Sequence, residues 1–285
     1  MAKDEGKLII DLTDPQFGFK AGGKGQNSQL LFELGDRIRP ELQTYPLYCI
    51  TDTQARLFYE WQKWFAAKRN PPPEEVERIL ASYASAMDRP YLAPVARRVA
   101  TLAEARPGEP VNVIELGGAN AALLHWWPQN MPSVPLKYVG IEPYPPFVEH
   151  ARKIFPQAQF IHSDAEGFLN LDFEPFKPVT AFIAATVFCF VHPDVVRQCI
   201  LKAAELTDDI LIRDFIVNAQ GQLVPPGQGH LSFDYFQRRA MPTLFAHRFE
   251  DYFQEIGFHV VHMEETRTEV DLPGWALIHV QRKVR

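Results

Sequence analysis

Apolar and polar positions follow two rhythms along this chain, and the change of rhythm marks its elements. From Val111 onward, short apolar runs take turns with amphipathic stretches. Val111 to Leu116 is rich in β-branched residues and predicts a buried parallel strand, with one acid, Glu115, near its end. Gly117 and Gly118 follow. Asn120, a good helix cap, then opens a helical run from Ala121 to Trp127. Lys137 to Ile141 predicts a second strand, ending in Glu142-Pro143. Pro145 starts a helix through Phe155, with Phe147, Val148, Ala151 and Ile154 on one face. Ala158 to His162, Val179 to Ala185 and Asp209 to Ile216 predict strands three to five. The helix between the last two starts at His192-Pro193-Asp194. Its stripe is Val195, Val196, Cys199, Ile200, Ala203 and Leu206. A long irregular stretch, Val217 to Phe245, comes next, then a helix from His247 to Ile256 that stops at Gly257. His259 to Thr266 and Trp275 to Val280 are the last strands. Asp271-Leu272-Pro273-Gly274 between them is too short for a helix, so they are expected to be antiparallel neighbours.

The first 110 residues have a different rhythm. Lys7 to Leu12 is a short strand-like run, and Asp14 to Asn27 is a Gly- and Lys-rich loop. Three helical segments follow. The first runs to about Lys68 with a stripe of Leu57, Phe58, Trp61, Trp64 and Phe65. The second starts at Pro73 and carries Val76, Ile79, Leu80, Tyr83 and Met87; the third, Leu92 to Ala105, carries Val95, Val99 and Leu102. Arg106-Pro107-Gly108-Glu109-Pro110 is a break. The expectation is a helical cap over residues 1–110 and an α/β domain over 111–285. Strands alternating with helices give a doubly wound, mostly parallel sheet, closed by an antiparallel last strand.

Composition narrows the function. The 285 residues are 46% hydrophobic and 22% charged, an ordinary globular balance. A net charge of -6 argues against nucleic acid as a partner, which needs clustered Lys and Arg. Cys49, Cys189 and Cys199 show no C-x-x-C spacing and suit reduced thiols in a cytoplasmic protein. The longest apolar run, Ala181 to Val191, is too short to span a bilayer. Gly18 to Lys24 has the glycine and lysine spacing of a nucleotide-binding P-loop. However, Gly25 stands where magnesium needs Ser or Thr, so the loop is expected to be a surface loop.

The turn after the first strand carries the chemistry. Gly117 and Gly118 permit a tight bend, and the bend points backbone N–H groups and a helix N-terminus above the strand. Glu115 beside it would repel a phosphate and suits a ligand with positive charge or hydroxyl donors. In these residues the sequence resembles the class I S-adenosylmethionine-dependent methyltransferases, whose first motif is an acid followed by spaced glycines. Here Ala119 and Ala121 hold the second and third glycine places. The order of elements over residues 111–285, with a helixless final strand pair, carries the resemblance further.

That resemblance implies S-adenosylmethionine as cofactor. It implies that Glu115, Gly117, Gly118 and Asn120 face its methionine end, that Glu142 accepts from the ribose hydroxyls, and that Asp164 with Ala165 holds the adenine. Asp164 also suits the N-cap of the helix after it. The segment Thr186 to Asp194 would lie beside the methyl donor, so Thr186 and Phe190 are expected to line the site. A base for a hydroxyl or amine acceptor would come from His192, His230, Asp234 or His247, with His192 and His230 as candidates. No metal is expected, since only Asp214 stands as an acid after the fourth or fifth strand. His259 and His262, three apart on a strand, point to opposite faces. The irregular stretch carries Phe233 and Tyr235, expected to close an apolar pocket over a small-molecule acceptor. Two other functions suit the same pattern. One is a nicotinamide-dependent oxidoreductase, whose ribose site Glu142 would also fit. The other is a non-catalytic binding protein of the same fold.

Overall fold

The computed structural model describes residues 92–118, 121–215, 229–234, 241–245, 247, 249–265 and 275–283. It also describes 2–4, 7–9, 48–50, 59, 73–74 and 77. In chain order the strands begin with β1 (Ala2–Asp4), β2 (Lys7–Ile9) and β3 (Tyr48–Ile50). Helix α1 (Ala93–Glu104) precedes β4 (Val111–Leu116) and α2 (Ala122–Asn130). Next come β5 (Leu136–Glu142), α3 (Pro145–Ile154), β6 (Gln159–His162) and α4 (Ala165–Phe168). The chain continues through β7 (Ala181–Ala185), α5 (Pro193–Leu206) and β8 (Asp209–Phe215). It closes with β9 (Gly229–Asp234), β10 (Met241–Phe245), α6 (Phe249–Glu255), β11 (Phe258–Glu265) and β12 (Trp275–Arg282).

Seven strands form one sheet in the order β11-β12-β8-β7-β4-β5-β6. β12 is inserted antiparallel between β8 and β11, and the other pairings are parallel. This is the doubly wound sheet with an antiparallel last strand that the sequence predicts, and its strand order is that of the methyltransferase fold. The chain moves outward from β4 to β6, then returns to lay β7 on the other side of β4. The crevice above the carboxyl ends of β4 and β7 is therefore the topological switch point, where open α/β sheets bind ligands.

Side-chain alternation divides the core in two. Ile114, Leu116, Phe182, Ala184, Ile210 and Ile212 face α4, α5 and α6. Val111, Val113, Ala181, Ile183, Leu211 and Leu277 face α1, α2 and α3. Helix α1 lies in that second core, with Val99 fully buried. It is clamped there by Asp209, the first residue of β8. Arg106 Nη2 donates to Asp209 Oδ2 at 2.7 Å, His279 Nε2 donates to Asp209 Oδ1 at 2.9 Å, and Arg98 Nε donates to His279 Nδ1 at 2.7 Å.

The stretch Val217 to Phe245, expected to be irregular, contains β9 and β10, which pair as an antiparallel ladder. β3 pairs with β9, which joins the N-terminal strands to this insertion in a second sheet ordered β1-β2-β3-β9-β10. The N-terminal stretch thus supplies three short strands. Tyr59, Pro73, Glu74 and Glu77 are helical; the rest of the first two expected helices and the loop of Gly18 to Gly25 lie outside the described residues.

Candidate active site

The β4–α2 turn is built differently from expectation. The amides of Gly117 and Gly118 both donate to the Ile141 carbonyl, at 2.7 and 3.2 Å. They tie the turn to β5 and do not point toward a ligand. Both glycines are needed for packing. Gly117 has a φ of 76°, and a Cβ there would come within 2.2 Å of Val187 Cγ2. A Cβ on Gly118 would meet Tyr138 Oη at 2.5 Å. Ala121, in the third glycine place, keeps the left-handed backbone of a glycine, with a φ of 46°. Helix α2 begins after it with no side-chain cap. Asn120, the expected cap, and Ala119 lie outside the described residues.

Beneath this turn Glu115 points to the α1–α3 face, on the same side as Val113. Its Oε2 accepts from Tyr138 Oη at 2.6 Å, and the same hydroxyl lies 3.2 Å from the Gly118 carbonyl. Burial pushes the Glu115 carboxyl up to about 7, although the Tyr138 hydrogen bond acts the other way. At the end of β5, Glu142 is buried and its Oε1 accepts from the Tyr144 amide at 3.0 Å. It stands opposite His162, so the end of β6 lies beside it. Two residues on, Asp164 Oδ1 accepts from the Gly167 amide at 2.7 Å and caps α4. Ala165 is buried, and its carbonyl accepts from Cys199 Sγ.

Across the switch point, Thr186 follows β7 with a φ of 61°, a strained conformation for a β-branched residue. Buried Arg213 on β8 holds it there. The Thr186 amide donates to the Arg213 carbonyl at 2.6 Å, and Arg213 Nη1 donates to Thr186 Oγ1 at 2.8 Å. Phe190 is half exposed in a one-turn 3-10 helix, Phe188–Phe190, and β10 runs beside that turn. Asp214 fixes the turn from below by accepting from the Cys189 amide at 3.1 Å. His247 fixes it from the side by donating from Nε2 to the Phe188 carbonyl at 2.7 Å. Burial, with His192 nearby, depresses His247 to about 4. His192 itself is buried and caps α5, its Nδ1 accepting from the Asp194 amide at 3.3 Å. Tyr59 packs against it, with ring centroids 6.2 Å apart.

The structure therefore gathers Glu115, Gly117, Gly118, Glu142, Asp164, Ala165, Thr186 and Phe190 at the carboxyl edge of β4 to β7. His230 and Phe233 lie on β9, and their side chains are outside the described residues, as is Tyr235 entirely. The sequence reasoning gave no site role to Tyr138 or Arg213. A charge in the apolar run Ile210-Leu211-Ile212-Arg213 was the signal for the last.

Three neighbouring strand ends carry an acid: Glu115, Glu142 and Asp164. Two of the turn amides that a pyrophosphate would need are bonded to Ile141. This edge disfavours phosphate-rich ligands. The carboxylates of Glu142 and Asp164, at neighbouring strand ends, suit hydroxyl and amine donors.

No family model matches the sequence, and no curated protein matches it. Among solved structures, the chain is similar to magnesium protoporphyrin IX methyltransferase from Synechocystis PCC 6803 with bound S-adenosylmethionine. Identity is 14%, over 81% of this chain and 97% of that one, with a TM-score of 0.46. It is also similar to DesVI of Streptomyces venezuelae, at 14% identity over 75% and 100% of the two chains and a TM-score of 0.48. A third is the 1,6-didemethyltoxoflavin-N1-methyltransferase of Burkholderia thailandensis, at 13% identity over 76% and 92% and a TM-score of 0.45.

Proposed function

We propose that this chain is an S-adenosylmethionine-dependent methyltransferase that methylates a small molecule on oxygen or nitrogen without a metal. The observation that supports it most is the row of acids, Glu142 and Asp164, at the ends of β5 and β6 beside a turn whose glycine amides are already bonded. A nicotinamide or nucleoside triphosphate would bring phosphates to that row and meet repulsion.

When bound, the cofactor would supply an electrophilic methyl group on sulfur. The chain's own residues hold and orient. Glu142 accepts from the ribose hydroxyls, Asp164 accepts from the adenine amine beside Ala165, and Glu115, bonded to Tyr138, fixes the turn that faces the ammonium. Thr186 and Phe190 shape the wall where the methyl emerges, so catalysis is mainly positioning and exclusion of water. His192 is occupied as a helix cap, so proton acceptance falls to His230 on β9. The 1–110 segment and the Val217 to Phe245 insertion close over the acceptor, bringing Phe233 and Tyr235 to it. The pairing of β3 with β9 and the course of β10 beside Phe190 support that closure.

Calorimetry with S-adenosylmethionine, S-adenosylhomocysteine, NAD and ATP tests the proposal. Micromolar binding of the first two is expected. Tight binding of NAD or ATP without response to S-adenosylhomocysteine would refute it. Glu142→Ala removes charge-assisted hydrogen bonds worth about 1.5–3 kcal/mol each, so affinity for both cofactor forms should fall at least about tenfold. Unchanged affinity would leave Glu142 without a part in cofactor binding.

A further inference from the structure

β11 is an outer strand of the seven-stranded sheet and, among the described residues, pairs only with β12. The exposed large hydrophobics described are Ile154, Phe190, Val260, Val261 and Met263. Three of the five fall on β11, and Met263, 59% exposed, is the most open of all. Phe190 belongs to the candidate site, and a single exposed Ile154 is ordinary surface. An outer strand lined with apolar side chains is a template for another strand. Charges and bulges normally blunt such an edge, and β11 has both. Here their placement makes the strand complementary to itself.

The bulge between Val260 and His262 shifts the register. Val260 lies opposite Val280 and Met263 opposite Ile278, and those two partners both face α5 and α6. Without the bulge, residues 260 and 263 would point to opposite faces. With it, Val260 and Met263 share one face. His259, opposite Gln281, and Glu264, opposite Leu277, share the other. Glu264 lies there 3.6 Å from Arg97 of α1. Now place a two-fold axis between Val261 and His262. An antiparallel copy then sets Val260 against the copy's Met263 and His259 against its Glu264. Apolar meets apolar on one face, and base meets acid on the other. A parallel copy in register would set Glu264 against itself.

We propose that a second copy of this chain pairs with β11 in that antiparallel register, giving a homodimer with one sheet running through both protomers. The contact is isologous, the closed form that two-fold symmetry requires. The inference stands apart from the proposed chemistry, since it uses no residue of the candidate site.

Sedimentation equilibrium on the full chain tests it. A strand-edge interface is small, so dimer is expected above about 10 μM. Met263→Lys and Val260→Lys change exposed side chains and should leave the melting curve of the dilute monomer, below about 1 μM, intact while weakening the dimer at least about tenfold. The register has its own test in the double variant His259→Cys, Glu264→Cys. Within one chain these positions are about 16 Å apart, too far for a disulfide. Across the proposed dyad they are directly opposite, and mild oxidation should give a covalent dimer that the wild type does not form. A wild-type monomer at about 200 μM would overturn the proposal. So would a dimer whose strength neither lysine variant changes, or one in which the double-cysteine variant forms no interchain disulfide.

Discussion

Ala121 shows how one residue carries the memory of a backbone requirement. Its φ of 46° is left-handed, which costs an L-residue roughly 1–2 kcal/mol. Glycine removes that cost but returns about 0.5–1 kcal/mol through its greater freedom when unfolded. Ala121→Gly should therefore stabilise the protein by about 0.5–1 kcal/mol, read as a higher urea midpoint at unchanged slope. A clear loss of stability would mean that the alanine methyl, 1% exposed in the core, matters more than the strain. Thr186 is the opposite case. Its strain is held by two hydrogen bonds with Arg213, at the place where the two halves of the sheet diverge.

Among elements, the join between α1 and β8 rests on Asp209. Burial alone would push this carboxyl up. The hydrogen bonds and charges of His279 and Arg106 outweigh burial and hold it below the usual carboxylate range. A depressed carboxylate adds stability at pH values above its unfolded pKa and loses it as pH falls through the folded one. Asp209→Ala leaves Arg106, His279 and Gln281 without their common acceptor and should cost about 3 kcal/mol at pH 7. Asp209→Asn should also unfold with a shallower acid limb than wild type below about pH 4. Identical acid limbs in urea titrations would show that the carboxylate charge is not what joins the helix to the sheet. The 3-10 turn at Phe188–Phe190 is a smaller element held the same way, by Asp214 and His247 from two sides.

Over the whole molecule, two buried groups titrate in the same window with opposite effect. His247 is depressed from 6.5 to about 4, so between these values the unfolded chain binds the extra proton. Stability then falls as pH falls from about 6.5 to 4, by about 3 kcal/mol in all. Glu115 is raised from 4.5 to about 7, so the folded chain binds the extra proton. Its stabilisation is complete below pH 4.5 and is lost as pH rises through 7, again by about 3 kcal/mol. The two slopes oppose each other. Relative to wild type, His247→Gln should make stability decline more steeply as pH rises from 4.5 to 7. Glu115→Gln should make it decline more steeply as pH falls from 6.5 to 4. Urea unfolding at half-unit pH steps checks both, and parallel curves for the three proteins would exclude the opposed pair.

What the sequence alone determined was the kind and order of the elements that build the seven-stranded sheet, on either side of the Val217 to Phe245 insertion, and the acids that end its first three strands. Those signals are local. A buried strand must be apolar along its length, a helix must show a stripe, and the residues that end each element follow it directly in the chain. Glu142 and Asp164 were legible because their places depend only on where a strand stops. The tertiary structure alone decided which groups meet. Tyr138 reaches Glu115 from 23 residues away and Arg213 reaches Thr186 from 27. The Ile141 carbonyl takes the glycine amides that the motif seemed to offer a ligand. β9 went unread because its pairing with β3 crosses most of the chain, and β10 follows from it by pairing with β9. A sequence lists donors and acceptors, but only the register of the sheet sets which of them stand within hydrogen-bonding distance.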